Sequence, residues 1–194
     1  MSTWATCSRL GALALGAALA GVGPADVSAA QLTQREALAT AFPEAEIERH
    51  TAFLSEADLE AARSAAGADA PVDQAVVTYY VARRDGRPIG VAYFDSHRVR
   101  TLNEVLMLVV QPDDRIRAIE VLRFAEPPEY HAREPWLKQF EGRALDADLS
   151  LQAGIANMTG ATLTSHAITR AARRVLALHA RIRPFGHSSA AGTP

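Results

Sequence analysis

The stretch EVLMLVVQPDDRIRAIEVLRF, residues 104–124, decides the fold, because it predicts two β-strands joined by a tight turn. Residues 105–110 are apolar at every position, which is typical of a strand covered on both of its faces. The turn falls on residues 112–114, Pro-Asp-Asp, which are residue types that favour turns. In the second strand one side carries Ile116, Ala118, Leu122 and Phe124, with Glu120 interrupting the apolar series.

A second strand pair precedes this one in the chain. Residues 75–81 are rich in β-branched and aromatic side chains, and residues 89–94 are predicted to form the return strand. Between them, residues 84–87 contain Asp85-Gly86, a dipeptide typical of a two-residue hairpin turn. The four strands together predict a small, mostly antiparallel sheet.

Helical patterns flank the strands. Residues 31–70 are predicted to be helical, with a capping box formed by Ser55 and Asp58 and a stop at Gly67. Residues 164–182 give the strongest helical pattern of the chain. Its inner stripe is Ile168, Ala171, Ala172, Val175, Leu178 and Ile182, and the side predicted to face water carries Arg170, Arg173, Arg174 and Arg181.

These patterns predict an α+β fold, a small antiparallel sheet with helices packed on it. The predicted domain covers residues 73–183 and follows a short helical N-terminal segment over residues 30–72. Residues 184–194 are predicted to be a disordered tail.

The first 29 residues have the composition of a secretory signal peptide. Arg9 supplies the positive start, residues 10–22 are apolar and uncharged, and residues 27–29 offer small side chains for cleavage. The apolar run is too short for a membrane span, although an uncleaved N-terminal anchor remains an alternative. We therefore expect a periplasmic or other extracytoplasmic protein, with membrane association as an option. Cleavage removes Cys7, the only cysteine, and so excludes disulfides, thiolate metal sites and Cys-bound haem or iron–sulfur clusters.

Composition and spacing exclude other classes of function. The net charge of −2 gives no sign of a nucleic-acid partner. The histidines do not have the spacing of a zinc or di-iron site, so no metal site is predicted. His166 either donates to a phosphate or is an ordinary solvated helix residue. No catalytic residue is assigned, because neither a Gly-x-Ser-x-Gly motif nor an acid–base pair beside the candidate site is evident.

The segment Thr159-Gly160-Ala161-Thr162-Leu163-Thr164-Ser165 leads from a loop into the long helix. The free N–H groups and the dipole of a helix start favour an anion. Gly160 and Ala161 leave room for a bulky group, and the other hydroxyls, those of Thr159, Thr164 and Ser165, can donate to phosphate oxygens. The residues alone leave two interpretations open. Either a phosphate-bearing ligand lies over the helix start, or Thr164 or Ser165 simply caps the helix and Gly160 forms a turn.

This segment resembles the flavinylation motif of the FMN-binding domain family. That family includes the flavin-carrying subunits of the Rnf complex and of the sodium-translocating NADH:quinone reductase. Its pattern is roughly Asp-x-x-Ser/Thr-Gly-Ala-Thr-x-Ser/Thr, and the matching residues here are Thr159, Gly160, Ala161, Thr162 and Thr164. The resemblance implies FMN joined covalently to Thr162 by a phosphoester, and an ApbE-type flavin transferase as the partner that attaches it. The family's Asp falls on Ala156, and the neighbouring Asn157 replaces only part of its hydrogen bonding.

The resemblance extends over residues 75–182. Residues 126–129, Glu-Pro-Pro-Glu, stand where the family has a Glu-Thr-Pro-Gly-like loop, which implies that Glu126 belongs to the cofactor site. Residues 139–142, Gln-Phe-Glu-Gly, match the end of the family's aromatic helix. The implied place of the flavin ring is against the sheet, within reach of Leu108, Leu122 or Trp136, each of which is otherwise a core residue.

The resemblance implies an exported electron-transfer flavoprotein that relays electrons between donor and acceptor proteins of the membrane or periplasm. FMN suits such a relay because it accepts one or two electrons. The protein is then a redox carrier, or a subunit of an oxidoreductase complex, rather than a stand-alone enzyme. Two alternatives remain open: a periplasmic reductase that binds FMN without a covalent bond, and a non-redox interaction module that retains the fold.

Overall fold

The fold is a five-stranded antiparallel sheet with helices on both faces. The strands are Glu46–Phe53 (β1), Val76–Arg84 (β2), Arg87–Arg98 (β3), Asn103–Val110 (β4) and Ile116–Phe124 (β5). The helices are Gln34–Ala41 (α1), Glu56–Ala66 (α2), Glu134–Leu137 (α3) and Thr162–Ile182 (α4), with short 3₁₀ turns at Pro128–Tyr130 and Lys138–Phe140. The sheet order follows the chain order, β1-β2-β3-β4-β5, so each strand pairs with its neighbour in sequence.

The computed structural model of the chain describes Met1, residues 32–151 and residues 153–186. The predicted signal peptide, Met1 apart, and residues 187–194 of the predicted tail lie outside the described residues. In the part of the chain that is described, no helix combines the length and the apolar character needed to cross a membrane.

The predicted strands are confirmed, and β4 is covered on both faces as expected. Leu106, Leu108 and Val110 pack into one core, and Met107 and Val109 pack into the other. The hairpin turn between β2 and β3 has φ of 52° at Asp85 and 72° at Gly86, the left-handed conformation that a two-residue turn of this kind requires.

The predicted one-sided apolar pattern of β5 is wrong. Ile116 packs into the same core as Leu108, whereas Ala118 and Leu122 pack into the opposite core. The pairing of β4 with β5 shifts register twice. Each such irregularity adds a residue to one strand and turns the side chains beyond it to the other face.

The helical prediction for residues 31–70 is wrong for residues 46–53, which form β1 at the edge of the sheet. The two flanking helices, α1 and α2, are confirmed. The capping box of Ser55 and Asp58 at the start of α2 is also confirmed, and Gly67 is the C-cap of that helix. β1 has no fully buried side chain, because it is an edge strand with charged residues among its apolar ones. It therefore lacks the apolar run that identifies an interior strand.

Two cores lie on the two faces of the sheet. α4 and α2 cover one face, where the predicted inner stripe of α4 is buried, with Ile182 partly so. α1 covers the other face with Leu38 and Phe42, which pack against Ala82, Ala92 and Met107. Gly90 lies under the Phe42 ring, where an added Cβ would come within 2.8 Å of a ring carbon.

Two of the four α4 arginines predicted to face water, Arg173 and Arg174, are instead partly buried and bonded to other elements, whereas Arg181 is exposed. Arg174 reaches the buried carboxylate of Asp95 at 2.7 and 2.9 Å. Arg173 donates to the carbonyl of Ala66 at 2.7 Å, at the C-terminal end of α2. A positive group is favourable there because the last carbonyls of a helix lack intrahelical donors. Arg173 therefore links α4 to α2, and Arg174 links α4 to β3.

Candidate functional site

One end of the sheet carries a cavity of about 270 Å³. Its walls come from the turn between β3 and β4, the segment after β5 and the start of α4, and its lining residues are Val99, Arg100, Glu126, Tyr130 and Gly160–Thr164. The structure thus brings together Glu126, Gly160, Ala161, Thr162 and Thr164, which are five of the residues predicted to bind the cofactor. Thr159 and Ser165 lie beside the cavity in sequence but do not line it.

Thr162 is the first residue of α4, and its side chain is exposed. The N-cap is Ala161, and no side chain of the described residues caps this end. The interpretation in which Thr164 or Ser165 caps the helix is therefore wrong. Asn157 Nδ2 donates to Thr162 Oγ1 at 3.4 Å, a long bond that leaves the hydroxyl accessible. The uncapped N–H groups and the dipole of α4 favour an anion next to this hydroxyl.

Gly160 keeps the space above the helix start open. Its φ is +81°, and a Cβ placed on it would meet no atom within 4 Å. The glycine is therefore required by the backbone conformation and not by a close neighbour. A bulky group bound at Thr162 has room on this side, so the residues present fit a ligand that carries a phosphate.

Two of the predicted phosphate donors are already engaged. Thr164 Oγ1 donates to the carbonyl of Tyr130 at 2.8 Å, which ties α4 to the segment after β5. Ser165 Oγ donates to the carbonyl of Ala161 at 3.2 Å and accepts from the N–H of Met158 at 3.0 Å. Both side chains are buried. Their hydroxyls fix the shape of the loop, and the exposed hydroxyls are those of Thr159 and Thr162.

Glu126 binds the turn between β3 and β4. Its carboxylate is buried and accepts from the N–H groups of Arg100, Thr101 and Leu102 at 3.1, 2.5 and 2.7 Å. The bond from Leu102 contributes most to lowering the pKa of Glu126, and burial opposes it. A carboxylate with three backbone donors holds this wall of the cavity in place.

The electrostatic character of the cavity follows from its walls. The positive end of α4 lies on one side, and the Arg100 side chain, which forms no ion pair with any described residue, lines the other. The charge of Glu126 is already compensated by its backbone donors. The cavity therefore suits a negatively charged group such as a phosphate.

The loop before α4 is held by residues 136–139. The Gln139 side chain accepts from the N–H of Ala156 at 2.8 Å, and Trp136 Nε1 donates to the Ala156 carbonyl at 2.6 Å. This is a physical reason for Gln139 in the Gln-Phe-Glu-Gly match. It also explains how the loop keeps its shape with Ala156 in place of an aspartate.

The residues expected near a flavin ring do not line the cavity. Leu108 is buried under α4, Leu122 belongs to the core of the opposite face, and Trp136 packs edge-on against Phe140. His166 is exposed and lines a separate cleft with Arg170 and Arg173. Among the described residues, no cluster of His, Cys, Asp and Glu is suited to a metal ion.

Sequence reasoning missed three lining residues, Val99, Arg100 and Tyr130. No local motif marks them, because they come from the β3–β4 turn and a 3₁₀ turn that only the fold brings to α4. Sequence reasoning also missed a buried charge cluster on β3 and β4. Asp95, His97 and Glu104 are its signal in the sequence, since charged residues are unusual inside apolar strands.

Comparison with known proteins gives a family match and a solved structure of similar fold. Residues 103–177 match the FMN-binding domain family, a span that contains Glu126 and the Thr159–Ser165 segment. Among solved structures, NqrC of Shewanella oneidensis has a similar fold, with a TM-score of 0.51 and 15% identity over 74% of this chain and 84% of that chain. No curated protein sequence matches this chain.

Proposed function

We propose that the protein is an electron-transfer flavoprotein that carries FMN covalently on Thr162. The match of residues 103–177 to the FMN-binding domain family supports this proposal. The observation that carries the proposal is the position of Thr162. Its exposed hydroxyl stands at the first residue of α4, on the wall of the cavity, beside the open space above Gly160.

Attachment is proposed to use FAD and an ApbE-type transferase. One bond forms, between Thr162 Oγ1 and the phosphorus next to riboflavin, and the pyrophosphate bond of FAD breaks. AMP leaves, and the hydroxyl proton passes to a base of the transferase. The product is a phosphodiester with one negative charge, which the N-terminal end of α4 stabilises.

The residues of each cavity wall have separate roles in the protein that carries FMN. Arg100 offsets negative charge, and Glu126 holds the turn that carries Arg100. Val99, Tyr130 and Leu163 supply apolar surface that excludes water from one side of the bound group. FMN itself supplies the one- or two-electron chemistry, so no acid or base of the chain is required for the relay.

The proposed partners are electron donor and acceptor proteins at or outside the cytoplasmic membrane. The signal-like N-terminal sequence supports export. Two large apolar side chains next to the cavity, Leu102 and Leu163, are 46% and 51% exposed. Exposed apolar residues at a redox site suit the transient contact through which electrons pass between proteins.

The test is expression of the full chain with a flavin transferase, followed by denaturation and mass measurement. We predict a mass increase of one FMN less one water, absent in Thr162→Ala and retained in Thr51→Ala, the matched change at an exposed threonine of β1. Yellow protein that loses its colour on denaturation would instead indicate non-covalent binding. Colourless protein of unmodified mass would indicate a non-redox module.

The family's missing aspartate is tested in the same assay. If its absence slows recognition by the transferase, Ala156→Asp raises the modified fraction. Ala156 is exposed and its hydrogen bonds use only backbone atoms, so the fold accepts this change. An unchanged fraction would show that the transferase does not read this position.

A further inference from the structure

Four charged or titratable side chains meet beneath α4. His97 Nδ1 lies 2.8 Å from Asp95 Oδ1, and His97 Nε2 lies 3.2 Å from Glu104 Oε2. Arg174 holds the Asp95 carboxylate with two bonds of 2.7 and 2.9 Å. Both ring nitrogens of His97 thus face carboxylate oxygens, an arrangement that suits the doubly protonated ring, which donates through both nitrogens.

The cluster is buried and incompletely paired. Glu104 is 0% exposed, and its Oε1 atom is buried without a hydrogen-bond partner among the described residues. With His97 neutral, two carboxylates face one guanidinium and the net charge is −1. One bound proton brings the cluster to neutrality, which matters because an uncompensated buried charge is costly.

The cluster is adjacent to the cavity. His97 and Glu104 are register partners on β3 and β4, just before and after the turn whose N–H groups Glu126 holds. Val99 and Arg100 of that turn line the cavity. Arg100 follows His97 by three residues, so their backbones are separated by at most about 10 Å, the length of a fully extended chain.

From this geometry we infer that Asp95, His97, Glu104 and Arg174 form a proton-binding site that takes up a proton when negative charge enters the neighbouring cavity. The inference rests on the proposed function for its source of charge, which is reduction of the bound FMN. Electrons delivered by the donor protein would place negative charge in the cavity, and the cluster would take up the compensating proton from water. The uptake is a fraction of one proton that depends on pH, because the added negative charge changes the proton affinity of the site by a finite amount.

The surroundings of His97 support a proton held at this place. Burial by itself would lower the pKa of His97, but the hydrogen bonds to Asp95 and Glu104 outweigh it and raise that pKa. Arg174 is the charged group that faces the cluster from α4. On the β5 side, His131 packs against Phe124, the register partner of Glu104, and Glu126 follows β5.

The first test needs no flavin. NMR titration of His97 in the unloaded protein compares Arg100→Glu with Arg87→Glu. Arg87 is an exposed arginine without an ion pair among the described residues, at the far end of β3 and about 30 Å away. We expect Arg100→Glu to raise the apparent pKa of His97 by roughly half a unit, given the distance and partial screening. We expect Arg87→Glu to leave it unchanged. Equal shifts, or no shift in either variant, would overturn the inference.

The second test uses the loaded protein and measures the flavin midpoint potential from pH 5 to 9. If reduction of the flavin raises the proton affinity of the cluster tenfold, the midpoint potential of a two-electron couple changes by about 30 mV more across this pH range. We expect this increment in the wild type and its loss in Glu104→Gln and in His97→Gln, with circular dichroism confirming that each variant folds. Identical pH dependence in all three proteins would exclude the coupling. If no flavin is carried, the proposed function fails, while the NMR comparison still decides whether the cluster responds to charge at the cavity.

Discussion

At the scale of the residue, Glu126 acts on the protein backbone. Its carboxylate accepts three N–H groups of the turn that forms one wall of the cavity. Glu129, three residues later, is exposed, and its side chain forms no hydrogen bond with another described residue. Variants of Glu126 and Glu129 therefore distinguish the loss of the hydrogen bonds to the turn from the loss of a negative charge in this loop.

We predict that Glu126→Ala loosens the turn and that Glu129→Ala does not. Removing the acceptor leaves three amide groups without partners, so hydrogen exchange at Arg100, Thr101 and Leu102 rises by roughly tenfold or more. Glu126→Gln, which keeps one acceptor oxygen, gives an intermediate rate. Exchange rates equal to wild type in Glu126→Ala would show that other contacts hold the turn.

His97 gives a prediction for pH. Its pKa is raised in the folded protein, because its two carboxylate bonds outweigh the cost of burial. A raised folded-state pKa stabilises the protein fully below the unfolded value of about 6.5, and this stabilisation is lost as the pH rises through the folded value. Urea denaturation at a series of pH values is therefore expected to show a free energy of unfolding that falls above pH ~6.5.

The matched variants for this prediction are His97→Gln and His166→Gln. His166 is exposed on α4, so its variant keeps the fall in stability, whereas His97→Gln removes it. The same slope in both variants would assign the effect to another group.

Some of the site could be predicted at this scale and some could not. The motif identifies Thr162, but it does not show that Thr164 and Ser165 are buried with their hydroxyls engaged, because that depends on which side of α4 meets Tyr130 and Met158. Arg174 was predicted to face water for a similar reason. Its partner, Asp95, lies 79 positions earlier in the chain, where sequence reasoning does not connect the two residues.

At the scale of the element, the capping box of α2 gives a direct prediction. Ser55 accepts from the N–H of Asp58, and Asp58 accepts from the N–H of Ser55. Ser55→Ala is expected to reduce the free energy of unfolding by about 1 kcal/mol. Ser64→Ala, at an exposed position inside the same helix, is expected to leave stability unchanged or slightly raised. Equal effects in urea denaturation would contradict the assigned cap.

The contact between α1 and β3 gives a second prediction. A Cβ on Gly90 would lie 2.8 Å from the Phe42 ring and 3.2 Å from the Val110 carbonyl oxygen. Overpacking of this kind typically costs about 1–3 kcal/mol, so we expect Gly90→Ala to destabilise the protein by that amount. The double variant with Phe42→Leu, which frees space, is expected to lose less than the sum of the two single changes. Simple additivity would show that the ring does not impose the requirement for glycine.

The elements predicted correctly are those whose local pattern matches their surroundings. β4 has an unbroken apolar run and β2 and β3 have a hairpin turn, so their sequences are sufficient. β1 is specified by its pairing with β2, since its charged residues, such as Glu46 and Glu48, stand among side chains that are exposed or only partly buried. The twofold change of face in β5 depends on its register against β4, which no single-strand pattern contains.

At the scale of the whole molecule, the cavity exists because three distant segments meet at one end of the sheet. The β3–β4 turn, the segment after β5 and the start of α4 each contribute part of the wall. The sequence alone predicted two of these segments, the one after β5 and the start of α4, because each carries a recognisable motif. The turn has no motif, so the sequence could not predict Arg100, the positive side chain of the opposite wall.

The arrangement also links the site to the core. α4 begins at the proposed flavin attachment residue and carries Arg174 of the buried cluster three turns later. Negative charge at the cavity and protonation of the cluster therefore act on one helix and one adjoining strand pair. This is why the NMR titration of His97 compares a charge change on the cavity wall, at Arg100, with the same change at Arg87, at the far end of β3.

The central claim is the covalent bond at Thr162, and the most direct measurement locates the added mass. The exported chain, made with a flavin transferase, is denatured and cut with trypsin, and the peptide of residues 144–170 is sequenced by mass spectrometry. We predict that this peptide carries FMN less one water and that fragment ions place the addition on Thr162. An unmodified peptide, or an addition on Thr159 or Thr164, obtained with a transferase that modifies another substrate in the same cells, would contradict it.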